Sequence, residues 1–136
     1  MSQNTAVPDD NFEALLEGRG FGNGIANDDY VYTALIENET SLIIQDNDIS
    51  DLTGIEGFKS IQLLICRRSN LETVDISKNS KLTHLSLEDN KLTNIDISAN
   101  IELVQLITGG NPIGTLDISN LTKLESLQSN NNNLST

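Results

Sequence analysis

A repeat of 21 residues constrains the fold of this chain more than any other feature. Leucine or isoleucine opens the copies, at Ile61, Leu82, Leu103 and Leu124. Three copies close on the same Asp-Ile-Ser triplet, at residues 75–77, 96–98 and 117–119. One copy is too short to bury its own apolar residues, so successive copies must stack and share a core. The repeat therefore predicts a solenoid.

The copies share the pattern L-x-x-L-x-L-x-x-N-x-L, as in LTHLSLEDNKL over residues 82–92. This pattern resembles the leucine-rich repeat, and in particular the 21- and 22-residue type of bacterial internalin-like surface proteins. The resemblance covers residues 42–136 and includes a 22-residue coil from Asn47 to Ser69 that lacks the closing triplet. It implies an α/β solenoid, a right-handed superhelix of about five coils with a parallel concave sheet and a helical N-terminal cap. It implies a recognition module and specifies no ligand.

Length and composition indicate a single leucine-rich repeat domain over residues 1–136. We expect a helical cap in residues 8–40 and repeats in 41–136, with an incomplete last coil. Asp10 of the segment DNFE resembles a helix cap that accepts the amide of Glu13, which predicts a helix over residues 10–17. A second helix is predicted over residues 28–37, with Asn27 as its cap.

The net charge of −12 is concentrated near the N-terminus, where residues 1–56 hold 12 acidic groups against Arg19 alone. Residues 57–136 hold 8 acidic and 7 basic groups. No basic stripe is present that could release counterions from phosphates, so nucleic acid is not expected as a partner. The longest strictly apolar run covers residues 63–66, whereas a membrane span needs about 20 residues. We therefore expect no membrane span.

Localisation is predicted from the resemblance, which implies a secreted or cell-surface protein. No signal peptide follows Met1, so a secretory signal is either absent or removed.

Cys66 is the only cysteine and cannot form an internal disulfide. It occupies an inward repeat position, which favours a buried and unreactive thiol.

Alternate residues of a strand face opposite sides, so five pairs of residues should point into the core of five parallel strands. These pairs are 42/44, 64/66, 85/87, 106/108 and 127/129. Asparagine recurs after the strands and can satisfy backbone groups of successive coils, which predicts a structural ladder. Its members are Asn47, Asn90, Asn111 and Asn132, and Ser69 interrupts it. The Asp-Ile-Ser triplets recur in the same way and are predicted to stabilise turns.

The outward residues of the predicted strands do not repeat, and they include several large apolar side chains. Contiguous exposed apolar surface typically marks a contact site, whereas the alternative is that strands simply favour β-branched residues. We predict a ligand-binding concave face made of Ile43, Leu63, Ile65, Arg67, His84, Glu88, Gln105 and Ile107.

Residues suited to catalysis are few. His84 and Glu88 could form a hydrogen-bonded pair, but there is no phosphate-binding loop and no zinc-ligand spacing. Asn23, Asn27, Asp28 and Asp29 could suggest calcium, yet their spacing does not fit a calcium loop and favours turns instead. We expect no catalytic residues, no metal and no cofactor.

Three functions remain open: protein binding, carbohydrate binding, and a structural spacer role in a larger bacterial surface protein. Sugar-binding sheets usually expose tryptophan or tyrosine rings, whereas this chain has no tryptophan and places Tyr30 and Tyr32 in the cap. We therefore predict a non-catalytic module that binds a protein ligand.

The C-terminal sequence ends before the fifth coil reaches an Asp-Ile-Ser triplet, and no cap is recognisable there. Leu127 and Leu134 should be incompletely covered, and the last strand should have unpaired backbone groups. Either the chain is a segment of a longer array, or it forms a homodimer through this end.

Overall fold

The structure is a computed structural model that describes residues 3–130. The N-terminal part contains strand β1 (Asn4–Ala6), helix α1 (Asp10–Gly18), strand β2 (Tyr30–Tyr32) and helix α2 (Thr33–Ile36). The repeats contain strands β3 (Ser41–Gln45), β4 (Leu63–Arg67), β5 (His84–Ser86), β6 (Gln105–Ile107) and β7 (Ser126–Gln128). A short 3₁₀ helix (Ile55–Gly57) lies between β3 and β4. Across residues 3–130, no helix combines the length and the apolar character needed to cross a membrane.

Strands β3 to β7 form one parallel sheet in chain order, as the repeat predicts. Leu64 pairs with Leu85, Leu85 with Leu106, and Leu106 with Leu127, so equivalent repeat positions are in register. Inward residues of β3 and β4 such as Leu42, Ile44 and Leu64 are buried. Stacking of the coils therefore supplies the core, and the predicted solenoid is confirmed.

The asparagine ladder is present in the middle of the solenoid. Asn111 donates its side-chain amide to the carbonyl oxygen of Leu87 at 2.8 Å, and its own oxygen accepts the Leu92 N–H at 3.1 Å. Asn90 makes the equivalent bonds to the Cys66 carbonyl and the Leu71 N–H. Each asparagine side chain thus joins two coils by bonding to backbone groups that the strand hydrogen bonds do not satisfy.

The ladder is absent from the first two coils. Ser69 is buried, and its hydroxyl has no hydrogen-bond partner among the described residues. Asn47 donates to the Gln45 carbonyl of its own coil, so the prediction that Asn47 joins successive coils is wrong. No coil precedes it for its side chain to reach. Asn132, the last predicted member, lies outside the described residues.

A second asparagine ladder, on the far side of each coil, was not predicted. Asn79 and Asn100 are buried, and both donate to carbonyl oxygens of the preceding coil. For Asn100 these are the carbonyls of Ile76 and Asn79, both at 3.0 Å. The equivalent positions one period away are Phe58 and Leu121, so the ladder occupies only two coils.

The Asp-Ile-Ser triplets stabilise turns as predicted. In each triplet the aspartate Oδ1 accepts the backbone N–H of the serine two residues later, at 2.9–3.0 Å. These hydrogen bonds lower the pKa of Asp75, Asp96 and Asp117 below the usual value of 3.8. The serine hydroxyl contributes most to this lowering, and the serine N–H contributes next.

The cap differs from the prediction in two places. Helix α1 is capped by Asp9 rather than Asp10: its Oδ1 accepts the N–H groups of Asn11 and Phe12. Its Oδ2 accepts the N–H groups of Ser50 and Asp51, so one carboxylate joins the cap to the first coil. The predicted helix over residues 28–37 is wrong, because residues 30–32 form a strand that pairs with β1, and α2 has only four residues.

The reason for this second difference is the alternation of residues 30–32. Val31 is buried, whereas Tyr30 and Tyr32 are exposed, which is the period of a strand. Phe12 and Leu16 of α1 belong to the same buried cluster as Val31 and the leucines of the coils. The cap therefore covers the first coil with helix α1 and a two-stranded antiparallel sheet of β1 and β2, rather than with two long helices.

Candidate functional site

The predicted face lies on the outward side of the sheet, and we call it the concave face. Ile43 pairs with Ile65, Ile65 with Ser86, and Ser86 with Ile107, which forms one row across the sheet. Leu63, His84 and Gln105 form the neighbouring row. Arg67 ends β4 and Glu88 follows β5, both on the same side as these rows. The register therefore brings the predicted residues onto one surface.

The apolar residues of this face are less exposed than a flat sheet would leave them. Ile43 is 42% exposed, whereas Leu63, Ile65 and Ile107 are half-buried. Mutual packing of large side chains in neighbouring strands explains this difference. The face offers a nearly continuous apolar surface with a few polar groups at its borders.

A small recess of about 70 Å³ lies at the centre of the concave face. Six of the eight predicted ligand-binding residues line it, together with Leu85 and Ser86; the six are Leu63, Ile65, Arg67, His84, Gln105 and Ile107. Ile43 and Glu88 lie outside it. The recess exists because Ser86 is small and stands between two isoleucines of its row. We call this feature the Ser86 recess.

Two polar atoms at the Ser86 recess are buried and have no hydrogen-bond partner among the described residues: Ser86 Oγ and Arg67 Nε. Ser86 is only 5% exposed. Ser86 was not among the predicted site residues, because its burial comes from its neighbours. The available signal was one small hydroxyl residue among the isoleucines at positions 43, 65 and 107.

Charged groups at the border of the recess are paired weakly. Arg67 Nη1 lies 3.7 Å from Glu88 Oε2, which is longer than a hydrogen bond. His84 Nδ1 lies 2.9 Å from the Thr83 hydroxyl. The predicted pair of His84 and Glu88 is not formed in the described structure, since Glu88 turns to Arg67 instead.

Two further positive side chains flank the face. Arg19 of the cap donates from its guanidinium to the carbonyl oxygen of Ile43. Arg68 binds Asp46 through two hydrogen bonds, of which the Nε bond is 2.6 Å long, and this pair lowers the pKa of Asp46. Arg68 is therefore engaged, whereas the buried Nε group of Arg67 has no hydrogen-bond partner among the described residues.

The cysteine and the acidic cap residues have structural surroundings. Burial raises the pKa of Cys66 to about 11, so the thiol stays protonated at neutral pH. Carboxylate oxygens of Asp10, Glu13 and Asp29 lie within 4.8 Å of one another. The Glu13 carboxylate, however, already accepts the N–H groups of Asp28 and Asp29.

Two of the four residues considered for calcium, Asn23 and Asp28, form turn hydrogen bonds. Asn23 Nδ2 donates to Asp28 Oδ2, and Asn23 Oδ1 accepts the N–H of Ile25. The other oxygen of Asp28 accepts the N–H of Tyr30. These side-chain bonds of Asn23 and Asp28 are those of a folded loop.

A larger hollow of about 350 Å³ lies between the first two coils, away from the sheet. Its carboxylates also stabilise turns: Asp51 accepts the N–H of Thr53, Glu56 that of Gly54, and Asp75 that of Ser77. These three carboxylates are thus directed at the chain's own backbone.

No family model matches the sequence, and no curated protein matches it either. Solved structures do match. The functional domain of InlJ from Listeria monocytogenes, which includes a cysteine ladder, superposes on 98% of this chain with 31% identity and a TM-score of 0.85. This chain is an internalin-like leucine-rich repeat protein. It covers 30% of that InlJ chain.

Two other leucine-rich repeat structures agree. The internalin InlF from Listeria monocytogenes strain 4b F2365 matches 96% of the chain with 22% identity and a TM-score of 0.72, and the match spans 46% of that protein. The leucine-rich repeat protein LIC12759 from Leptospira interrogans matches 72% of the chain with 26% identity and a TM-score of 0.61, over 27% of its own length. The chain therefore spans less than half the length of these proteins. The chain described here has one cysteine, and the ladders that join its coils are made of asparagine.

Proposed function

We propose that this leucine-rich repeat module binds another protein through its concave face and carries out no chemistry. The observation that supports this proposal is the row of isoleucines at positions 43, 65 and 107, bordered by Arg67 and His84. Apolar surface with arginine at its edge has the composition of protein interfaces. The acidic net charge of −12 opposes nucleic acid as the partner.

The alternatives are carbohydrate binding and a spacer role within a longer bacterial surface protein. Tyr30 and Tyr32 are the exposed aromatic residues, and both lie on β2 of the cap rather than on the sheet. The Ser86 recess of about 70 Å³ is also far smaller than the roughly 300 Å³ at which ligand pockets begin. Both observations favour a protein ligand over a sugar.

The test is a comparative pull-down from the source organism with the parent chain and two variants. Ile65→Asp places a charge at the centre of the concave face, whereas Ile101→Asp places one at a 50% exposed isoleucine outside it. The proposal predicts a protein captured by the parent and by Ile101→Asp but not by Ile65→Asp. Equal capture by both variants would refute the concave face, and absence of any specific protein would favour the spacer role.

Localisation and domain organisation are part of this proposal. The likeness to Listeria internalin structures supports a secreted or cell-surface protein. The single buried cluster that joins the cap to the coils supports one domain over residues 1–136, with the cap in 8–40.

A homodimer through the C-terminal end of the isolated chain is a further part of the proposal. Leu127 occupies an inward position of β7 yet is 40% exposed, and β7 has one neighbouring strand among the described residues. Symmetric pairing would cover this apolar edge without forming a fibre. Light scattering coupled to gel filtration should show a dimer that Leu127→Asp abolishes. A strictly monomeric mass at high concentration would refute the dimer.

A further inference from the structure

The Ser86 recess carries information about the partner because it contains two buried polar groups that the protein does not satisfy. Buried polar atoms in folded proteins are nearly always hydrogen-bonded, and exceptions often mark a functional site. Here two exceptions occur on adjacent strands, Arg67 Nε on β4 and Ser86 Oγ on β5. Both residues line the same recess.

The chemistry of these two groups defines what can occupy the recess. An arginine Nε–H can only donate a hydrogen bond, and a serine hydroxyl can also donate. The occupant must therefore supply acceptor atoms. A carboxylate supplies two oxygens, and its negative charge matches the guanidinium, so both bonds become charge-assisted. Leu63, Ile65 and Ile107 form apolar walls that strengthen such bonds by excluding water.

Glu88 does not occupy this place. Its carboxylate approaches Nη1 of Arg67, at 3.7 Å, and leaves Nε without a partner. Arg68, the neighbouring arginine, has its Nε bonded to Asp46. The unpartnered Nε group thus belongs to Arg67, which lines the recess.

The size of the recess favours a protein side chain over a small molecule as its occupant. A volume of about 70 Å³ is several times smaller than the roughly 300 Å³ of the smallest ordinary ligand pockets. It suits the end of one side chain that projects from a larger docked surface. This reasoning rests on the proposed function, since it assumes a protein on the concave face.

We propose that the Ser86 recess receives an aspartate or glutamate side chain of the partner protein, whose carboxylate accepts hydrogen bonds from Arg67 Nε and Ser86 Oγ. This acidic residue anchors the partner at the centre of the face. The surrounding isoleucines then contact apolar residues beside it. The partner is therefore expected to present an acidic residue within an otherwise apolar patch.

The probe is N-acetyl-aspartate N-methylamide, titrated into the ¹⁵N-labelled chain and followed by NMR, with N-acetyl-asparagine N-methylamide as the neutral comparison. The proposal predicts saturable shifts of the Arg67 Nε–H and of the Ser86 and Ile107 amides with the aspartate probe. The asparagine probe should shift them at least several-fold less. Shifts that are equal for both probes, or that never saturate, would overturn the proposal.

Three variants sharpen the test. Arg67→Gln and Ser86→Ala each remove one donor, and each should weaken the aspartate response about tenfold or more, read at the Ile107 amide. Arg68→Gln removes the same charge outside the recess and serves as the matched control, which should leave the response unchanged. A response that Arg68→Gln weakens as much as Arg67→Gln would show general charge attraction and would refute the recess.

The outcome for the recess can be separated from the outcome for the concave face. Ile43→Asp lies on the face but outside the recess, so it should impair capture of the protein partner and leave the aspartate response unchanged. If Ile43→Asp blocks capture while the probe does not bind the parent, the function holds and the carboxylate proposal fails.

Discussion

Replacing Asn90 with serine should remove one rung of the asparagine ladder at a large cost in stability. Asn90 satisfies the Leu71 N–H at 3.1 Å and the Cys66 carbonyl at 2.9 Å, both in the preceding coil. The shorter serine cannot reach both. Each buried backbone group left without a partner costs about 1–3 kcal/mol, so Asn90→Ser, which leaves two, should lower the unfolding free energy by about 2–6 kcal/mol. That is a large share of the roughly 5–15 kcal/mol that stabilises a typical domain.

Ser69 provides the reverse experiment within the same chain. The residue before each ladder position has a left-handed backbone, with φ of 53° at Arg68 and 57° at Asp89, so the chain runs similarly at both sites. An asparagine at position 69 should therefore reach the backbone of the first coil, at the Ile44 carbonyl and the Ile49 N–H. Ser69→Asn should raise the unfolding free energy by about 1–2 kcal/mol, because two hydrogen bonds form and some side-chain freedom is lost.

Urea unfolding followed by far-ultraviolet circular dichroism measures both changes, with the slope of each transition compared to exclude altered cooperativity. The Glu72→Ser variant, at an exposed position of the same coil, serves as a control for surface substitution. The ladder account would be refuted if Asn90→Ser cost less than about 1 kcal/mol, or if Ser69→Asn lowered stability.

Three other predictions follow from the same contacts. Ser86→Ala removes a buried hydroxyl without a partner, so it should leave stability unchanged or raise it by up to about 1 kcal/mol in urea unfolding; a loss above that would mean Ser86 Oγ is satisfied in solution. Hydrogen bonds lower the pKa of Asp75, Asp96 and Asp117, so their stabilisation is complete above the unfolded pKa and is lost as pH falls through the lowered folded pKa. Urea midpoints should therefore fall on acidification below about pH 4, and they should fall less steeply with pH in the Asp→Asn variants than in the parent. The same dependence of the midpoint on pH in parent and variants would contradict this. Cys66 should react with a thiol reagent at neutral pH only on unfolding, because its pKa is about 11 and it is buried; rapid reaction of the folded chain would contradict its placement.

The repeat register could be predicted because one period fixes it throughout the coils. After the first coil, the leucines at positions 64, 85, 106 and 127 are spaced 21 residues apart and must stack in adjacent strands. The positions of the outward rows then follow without further information. The second ladder could not be found in the same way, since Asn79 and Asn100 recur only once and Phe58 and Leu121 replace them in the neighbouring coils.

The cap was harder to predict because it contains no repeat. Asp9 and Asp10 are adjacent, and only the folded contacts of Asp9 with Ser50 and Asp51 distinguish them. The burial of Ser86 is likewise a property of its neighbours rather than of its own residue type. Sequence periodicity therefore predicted the surface, whereas the depth of the recess within it required the structure.

The most direct test of the central claim uses isoleucine methyl groups as reporters on every side of the molecule. Ile43, Ile65 and Ile107 lie on the concave face, whereas Ile25, Ile101 and Ile118 are exposed elsewhere. With methyl-labelled isoleucine, addition of the captured partner protein should shift or broaden the signals of the first three and leave the last three unchanged. Changes confined to Ile25, Ile101 and Ile118 would contradict recognition through the concave face.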